Sequence, residues 1–82
     1  METILIIDED RGFLEQAREI VCRRGFDDVQ IESDPGQAWT RIDRGAPCGA
    51  VLIDLDMQGL EGLRLLEFIH DSSPDTECIV MS

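Results

Sequence analysis

Three short, continuously apolar runs constrain this chain more than any other feature: Ile4-Leu5-Ile6-Ile7 after Thr3, Ala50-Val51-Leu52-Ile53, and Cys78-Ile79-Val80-Met81. Each is rich in β-branched residues and too short for a helix, so each reads as a strand, the first buried on both faces as in a parallel sheet. Val29-Gln30-Ile31, after Asp27-Asp28, adds a short alternating strand. Between the strands the apolar period changes to three and four. Phe13, Leu14, Ala17, Ile20 and Val21 form one face of a helix from about Arg11 to Arg24, stopped by Gly25. Asp34-Pro35 supplies an N-cap and a first-turn proline for a second helix with Ala38, Trp39 and Ile42 inward. Gly45, Pro47 and Gly49 then mark a loop. Leu55 to Glu61 form another loop, and Leu63, Leu66 and Ile69, flanked by Leu65 and Phe68, give a third helical face that Ser72-Ser73-Pro74 ends. The order is β-α-β-α-β-α-β, the pattern of a parallel sheet with helices on both faces.

Size and charge narrow the function. Eighty-two residues are one domain or a piece of one, here taken as residues 1–82. A composition 43% hydrophobic and 30% charged belongs to a globular chain. Eighteen acids stand against seven arginines, with no lysine, for a net charge of -11. That balance argues against binding to nucleic-acid phosphates. No apolar run approaches the length of a bilayer span and no basic flank opens a signal peptide, so the expected location is the cytoplasm, away from membranes. Cys22, Cys48 and Cys78 are odd in number and sit in or beside apolar stretches, which predicts reduced, buried thiols.

Ligands of open parallel sheets sit beyond the carboxyl ends of the strands, where strand order reverses. The first polar residues after the apolar runs are Asp8 and Glu9 after the first strand, Asp54 after the third and Ser82 after the fourth. Carboxylates crowded there repel one another unless a cation shares the site. An oxygen-only donor set completed by water matches Mg2+ better than zinc. With a cation holding phosphoryl oxygens, a central carboxylate can act as nucleophile and become an acyl phosphate. Asp54 is the central candidate, with the Ser82 hydroxyl placed to hydrogen-bond a phosphoryl oxygen.

The segments ILIIDED, VLIDLDMQGLEGL and CIVMS resemble the receiver domain of two-component response regulators, and the resemblance runs through the whole chain. It implies that Asp54 is the phosphoacceptor, that Asp8 and Glu9 serve Mg2+ together with Asp54 and the backbone carbonyl of Asp56, and that Ser82 is the switch hydroxyl. It implies a flavodoxin-like, doubly wound sheet of order 2-1-3-4-5, of which this chain carries βαβαβαβ in order 2-1-3-4, without the fifth strand and last two helices. The implied donor is a sensor histidine kinase or phosphotransfer protein, and the implied role is signalling by conformational change, not enzymatic turnover. The stretch from Pro74 to Ser82 is similar to receivers attached to transcriptional regulators or hybrid kinases.

The sequence departs from the family pattern in three places. Glu9 stands where Asp is commoner, so Asp10 competes for its role; Gln58 replaces a usual loop proline; and no lysine is present to hold the phosphoryl group. Without the last strand and helices the fourth strand is expected to form an exposed apolar edge, open to a homodimer by strand pairing or domain swap. Two other functions compete. A haloacid-dehalogenase-like phosphatase also carries Asp54-Leu55-Asp56 after a strand, with Asp56 as general acid, but leaves Asp8 and Glu9 unexplained. A degenerate receiver binds partners without taking phosphate. An EF-hand is excluded because Leu65 falls where a bidentate Glu is required. His70 is expected at the surface near a helix end, and Trp39 in the second helix's packing face.

Overall fold

The structure, a computed structural model, describes residues 3–44, 49–54 and 61–81. β1 (Ile4–Ile7), α1 (Arg11–Arg23), β2 (Val29–Glu32), α2 (Pro35–Asp43), β3 (Ala50–Asp54), α3 (Glu61–Ser72) and β4 (Glu77–Met81) follow one another in the expected alternation. The four strands are parallel and lie in the order β2-β1-β3-β4. β1 is central and its four side chains are all buried. Leu5 and Ile7 point with Val51 and Ile53 toward α2 and α3, where Ala38, Ile42, Leu65 and Ile69 complete one core. Ile4 and Ile6 point the other way, toward Leu14 of α1. The period of two in β1 thus divides the sheet between its two layers of helix.

Local chemistry sets the helix ends. Asp34 accepts the Gly36 N–H at 3.0 Å and Pro35 occupies the first turn of α2, as the sequence predicts. Gly25 ends α1 with φ +103°, donating its N–H to the Cys22 carbonyl at 3.1 Å. An L side chain there costs roughly 1–2 kcal/mol. Ser73 donates to the Ile69 carbonyl at 2.8 Å where α3 stops. On the outer edge of β2, Arg41 of α2 reaches Gln30 at 2.8 Å and Glu32 at 3.2 Å, laying charge over that edge.

Several packing expectations are corrected. On α1 only Leu14 is buried, Ala17 and Val21 are half-buried, and Phe13 and Ile20 are exposed. α1 is the one helix on its face among the described residues, so it cannot cover a five-residue stripe or the Leu52 side of β3, which stays half-buried. On α3 the inner face is Gly62, Leu65 and Ile69, while Leu63 is 47% exposed and Leu66 and Phe68 are half-buried. Apolar residues at 63, 65, 66, 68 and 69 fit more than one stripe, and packing against Val51 and Ile53 selects the one through 65 and 69. Cys22 is exposed, not buried, because it follows Val21 round the helix and turns off the packed face. Cys78 is half-buried, and burial, then the neighbouring Glu77 charge, raise its thiol pKa. Cys48 and both expected loops, apart from Gly49 and Glu61, lie outside the described residues.

Other expectations hold. His70 is exposed in the last turn of α3. Trp39 is partly packed, stacked on Phe68 of α3. β4 leaves Ile79 50% and Val80 45% exposed on opposite faces, so its apolar edge is open as expected. Among the described residues no helix is long and apolar enough to cross a membrane.

The two stripes on α3 predict different stabilities. Leu65→Ala should lower the unfolding free energy by about 2–5 kcal/mol, and Leu63→Ala should stay within about 0.5 kcal/mol, read from urea melts. The reverse order would overturn the assignment of the inner face.

Candidate functional site

The chain passes from β1 outward to β2, then crosses to β3 on the other side of β1, so strand order reverses between β1 and β3. The crevice at their carboxyl ends is the natural ligand position. Ile7 is level with Ile53 in the ladder, and one step further places Asp8 beside Asp54, the last residue of β3. Both are half-buried. The sheet register therefore brings together two of the carboxylates singled out from the sequence.

Backbone bonds hold the acidic turn after β1. Asp8 donates its N–H to the Glu32 carbonyl at 3.2 Å, fixing the end of β1 against β2. Its carboxylate Oδ1 accepts the Asp10 N–H at 2.9 Å. Asp10 is the N-cap of α1, and its own Oδ1 accepts the Phe13 N–H at 3.1 Å. Asp10, the rival to Glu9 in the sequence, thus has one carboxylate oxygen engaged in capping the helix. Sequence reasoning missed this cap, although an Asp immediately before the first helical residue is its ordinary signal. Glu9 is exposed on the rim of the turn.

The electrostatics are those of crowded acid. Burial raises the Asp8 pKa above the usual carboxylate range, the Asp10 N–H bond offsets part of this, and the charges of Asp54, Asp10 and Glu9 raise it further. Asp8 has no ion pair among the described residues. No group of three or more His, Cys, Asp or Glu among the described residues is arranged to hold a metal ion. Two carboxylates in mutual repulsion are nonetheless the donor set that a small hard cation uses when water and phosphate oxygens complete its shell. The donor chemistry fits Mg2+. Asp56 and Ser82 lie outside the described residues.

With this crevice in place, the comparisons with known proteins fit the geometry. Residues 4–82 match the response regulator receiver domain family, and the chain belongs to it. This sets aside the phosphatase reading of Asp54-Leu55-Asp56. The chain is 26% identical over 80 residues to the photosynthetic apparatus regulatory protein RegA of Rhodovulum sulfidophilum, covering 98% of this chain and 43% of that protein. It superposes with a TM-score of 0.87 on a CheY-like receiver domain protein of Methanospirillum hungatei JF-1, at 28% identity over 98% of this chain and 62% of that one. The fold is also shared with the MaeR response regulator bound to beryllium trifluoride, at a TM-score of 0.83 and 20% identity over 99% of this chain and 66% of that one. The chain therefore spans less than half of the curated relative and about two thirds of the solved ones. Receiver domains are signalling modules of two-component systems, partnered in general by histidine kinases, and typically use Mg2+.

The raised Asp8 pKa has a definite sign in stability. A carboxyl group whose pKa is higher folded than unfolded contributes fully below its unfolded pKa, and that contribution is lost as pH rises through the folded pKa. Asp8→Asn keeps an acceptor for the Asp10 N–H and removes the charge. In metal-free buffer it should melt higher than the parent at pH 7, with the gap closing as pH falls below the carboxylate range. A parent chain that melts higher at pH 7 would contradict the repulsion described here.

Proposed function

We propose that the chain is a phosphoacceptor receiver in which Asp54 takes a phosphoryl group from a phosphohistidine of a sensor histidine kinase or phosphotransfer protein. The observation that carries this reading is the pairing of Asp8 and Asp54 at the strand-order reversal, with Asp54 among the charges that raise the Asp8 pKa. An Asp54 carboxylate oxygen attacks phosphorus in line, the phosphorus–nitrogen bond to histidine breaks, and the product is an acyl phosphate. Mg2+, when bound, offsets charge on the transferring group. Asp8, Glu9, Asp54 and the backbone carbonyl of Asp56 are its proposed ligands, and Ser82 is the proposed hydrogen-bond donor to a phosphoryl oxygen. β1 and β3 fix the two central carboxylates on rigid strand ends, so little reorganisation is needed when the donor arrives. Likeness to a photosynthetic apparatus regulatory protein supports a regulatory output within a longer protein. The exposed Ile79 and Val80 suit β4 to the addition of a further strand.

Incubation with acetyl phosphate and Mg2+ should add one base-labile phosphoryl group by intact mass, absent with chelator and absent from Asp54→Asn. A folded chain that stays unlabelled would instead be a degenerate receiver that works by binding alone. The acidic turn makes a second prediction, checked by calorimetric titration with Mg2+. Glu9→Gln should weaken binding by about tenfold or more, whereas Asp10→Asn, which keeps a good N-cap, should change it little. Equal losses would return Asp10 to the ligand set.

A further inference from the structure

The chain's one tryptophan sits at the surface, in a setting that the phosphoacceptor reading does not use. Trp39 of α2 stacks on Phe68 of α3, with ring centroids 4.6 Å apart and planes within 12°, yet it remains 39% exposed. Beside it a cleft of about 510 Å³ opens between α2 and α3, lined by Asp34, Pro35, Gly36, Trp39 and Arg64. Among the described residues its charges are one acid and one cation. Arg64 is exposed and has no ion-pair partner among the described residues, although this chain has eighteen acids for seven arginines.

Gly36 adds an independent observation. It is the second residue of α2, its N–H bonded to the Asp34 cap, and neither a positive φ nor close packing requires a glycine there. Gly25 is the one glycine with positive φ among the described residues. A Cβ on Gly36 would meet only the Asp34 carboxylate oxygens, at 3.5 and 4.0 Å, which is ordinary contact. The missing side chain therefore leaves the wall of the cleft bare, so another group can approach the α2 backbone closely.

A chain of net charge -11 repels its own copy over most of its surface. A second copy can approach where charge cancels locally, as Asp34 and Arg64 do among the described residues of the cleft, whereas β4 and its approach carry Asp75 and Glu77. An acid and a cation lining one cleft can each pair with its opposite on a second copy across a two-fold axis. We propose that this cleft is a two-fold interface with a second copy of the chain. Trp39 of each copy packs against Trp39 of the other, and each Arg64 faces Asp34 of its partner. The patch is smaller than a standard interface of roughly 1,600 Å², so the dimer is weak and concentration-dependent.

Sedimentation equilibrium of the 82-residue chain from about 5 to about 500 µM, with Trp39 emission read in parallel, tests this. The expected result is a mass rising from 9.2 kDa toward its double, with emission shifting to the blue over the same range. Arg64→Glu should weaken association about tenfold or more, since repulsion replaces attraction. Gly36→Gln fills the cleft and favours the helix, so it should also block association while circular dichroism stays unchanged. Ile79→Arg should leave association as it was. A monomer throughout the range would overturn the proposal. So would association lost in Ile79→Arg and kept in Arg64→Glu, which would place the contact at the edge of β4.

Discussion

The rest of the structure depends on the pairing of β1 with two neighbours at once. Its four residues are apolar on both faces, and its backbone is bonded to β2 on one side and β3 on the other. A slip of one residue on either side would turn every side chain of the slipped strand to the opposite face. Because Ile6, Ile7, Val51 and Ile53 are completely buried, such a slip would strip the core of its contents. The same register that protects the core brings Asp8 level with Asp54. Geometry at the site is thus a by-product of apolar packing below it, and the acids themselves need contribute nothing to holding it.

Repulsion is what the acids do contribute. In the metal-free chain, half-buried Asp8, itself without an ion pair among the described residues, feels the charge of Asp54, and Glu9 and Asp10 add to the same field. A cation entering such a site gains from every carboxylate it neutralises, and the fold gains with it. The penalty is tolerable because the crowded charges stand at the open end of the sheet, where water screens them, and not inside either core.

Strands were the most legible part of the fold, since runs such as Ile4–Ile7 allow few other structures, and their ends located the acids of the site. The Asp34-Pro35 start of α2 and the Gly25 stop of α1 were equally plain, because each rests on chemistry within a few residues. What the sequence did not disclose was the choice among crowded alternatives. Five apolar residues on α3 offered more than one inner face, and the sheet, not the helix, decided between Leu65 and Leu63. The outward turn of Phe13, Ile20 and Cys22 likewise reflects how much of the sheet α1 alone can cover. In the site, the pairing of Asp8 with Asp54 followed from strand order, whereas the capping role of Asp10 emerged only with the structure.

That cap ties chemistry to architecture. Asp8 accepts the backbone N–H of Asp10, and the side chain of Asp10 accepts the backbone N–H of Phe13. Two hydrogen bonds in series join the charge on one strand end to the first turn of a thirteen-residue helix. When Asp8 is neutralised, by a proton or a cation, it becomes a weaker acceptor, and the loss is passed to the residue that anchors α1. The amide protons of Asp10 and Phe13 are therefore the two backbone positions through which the charge of Asp8 is joined to α1.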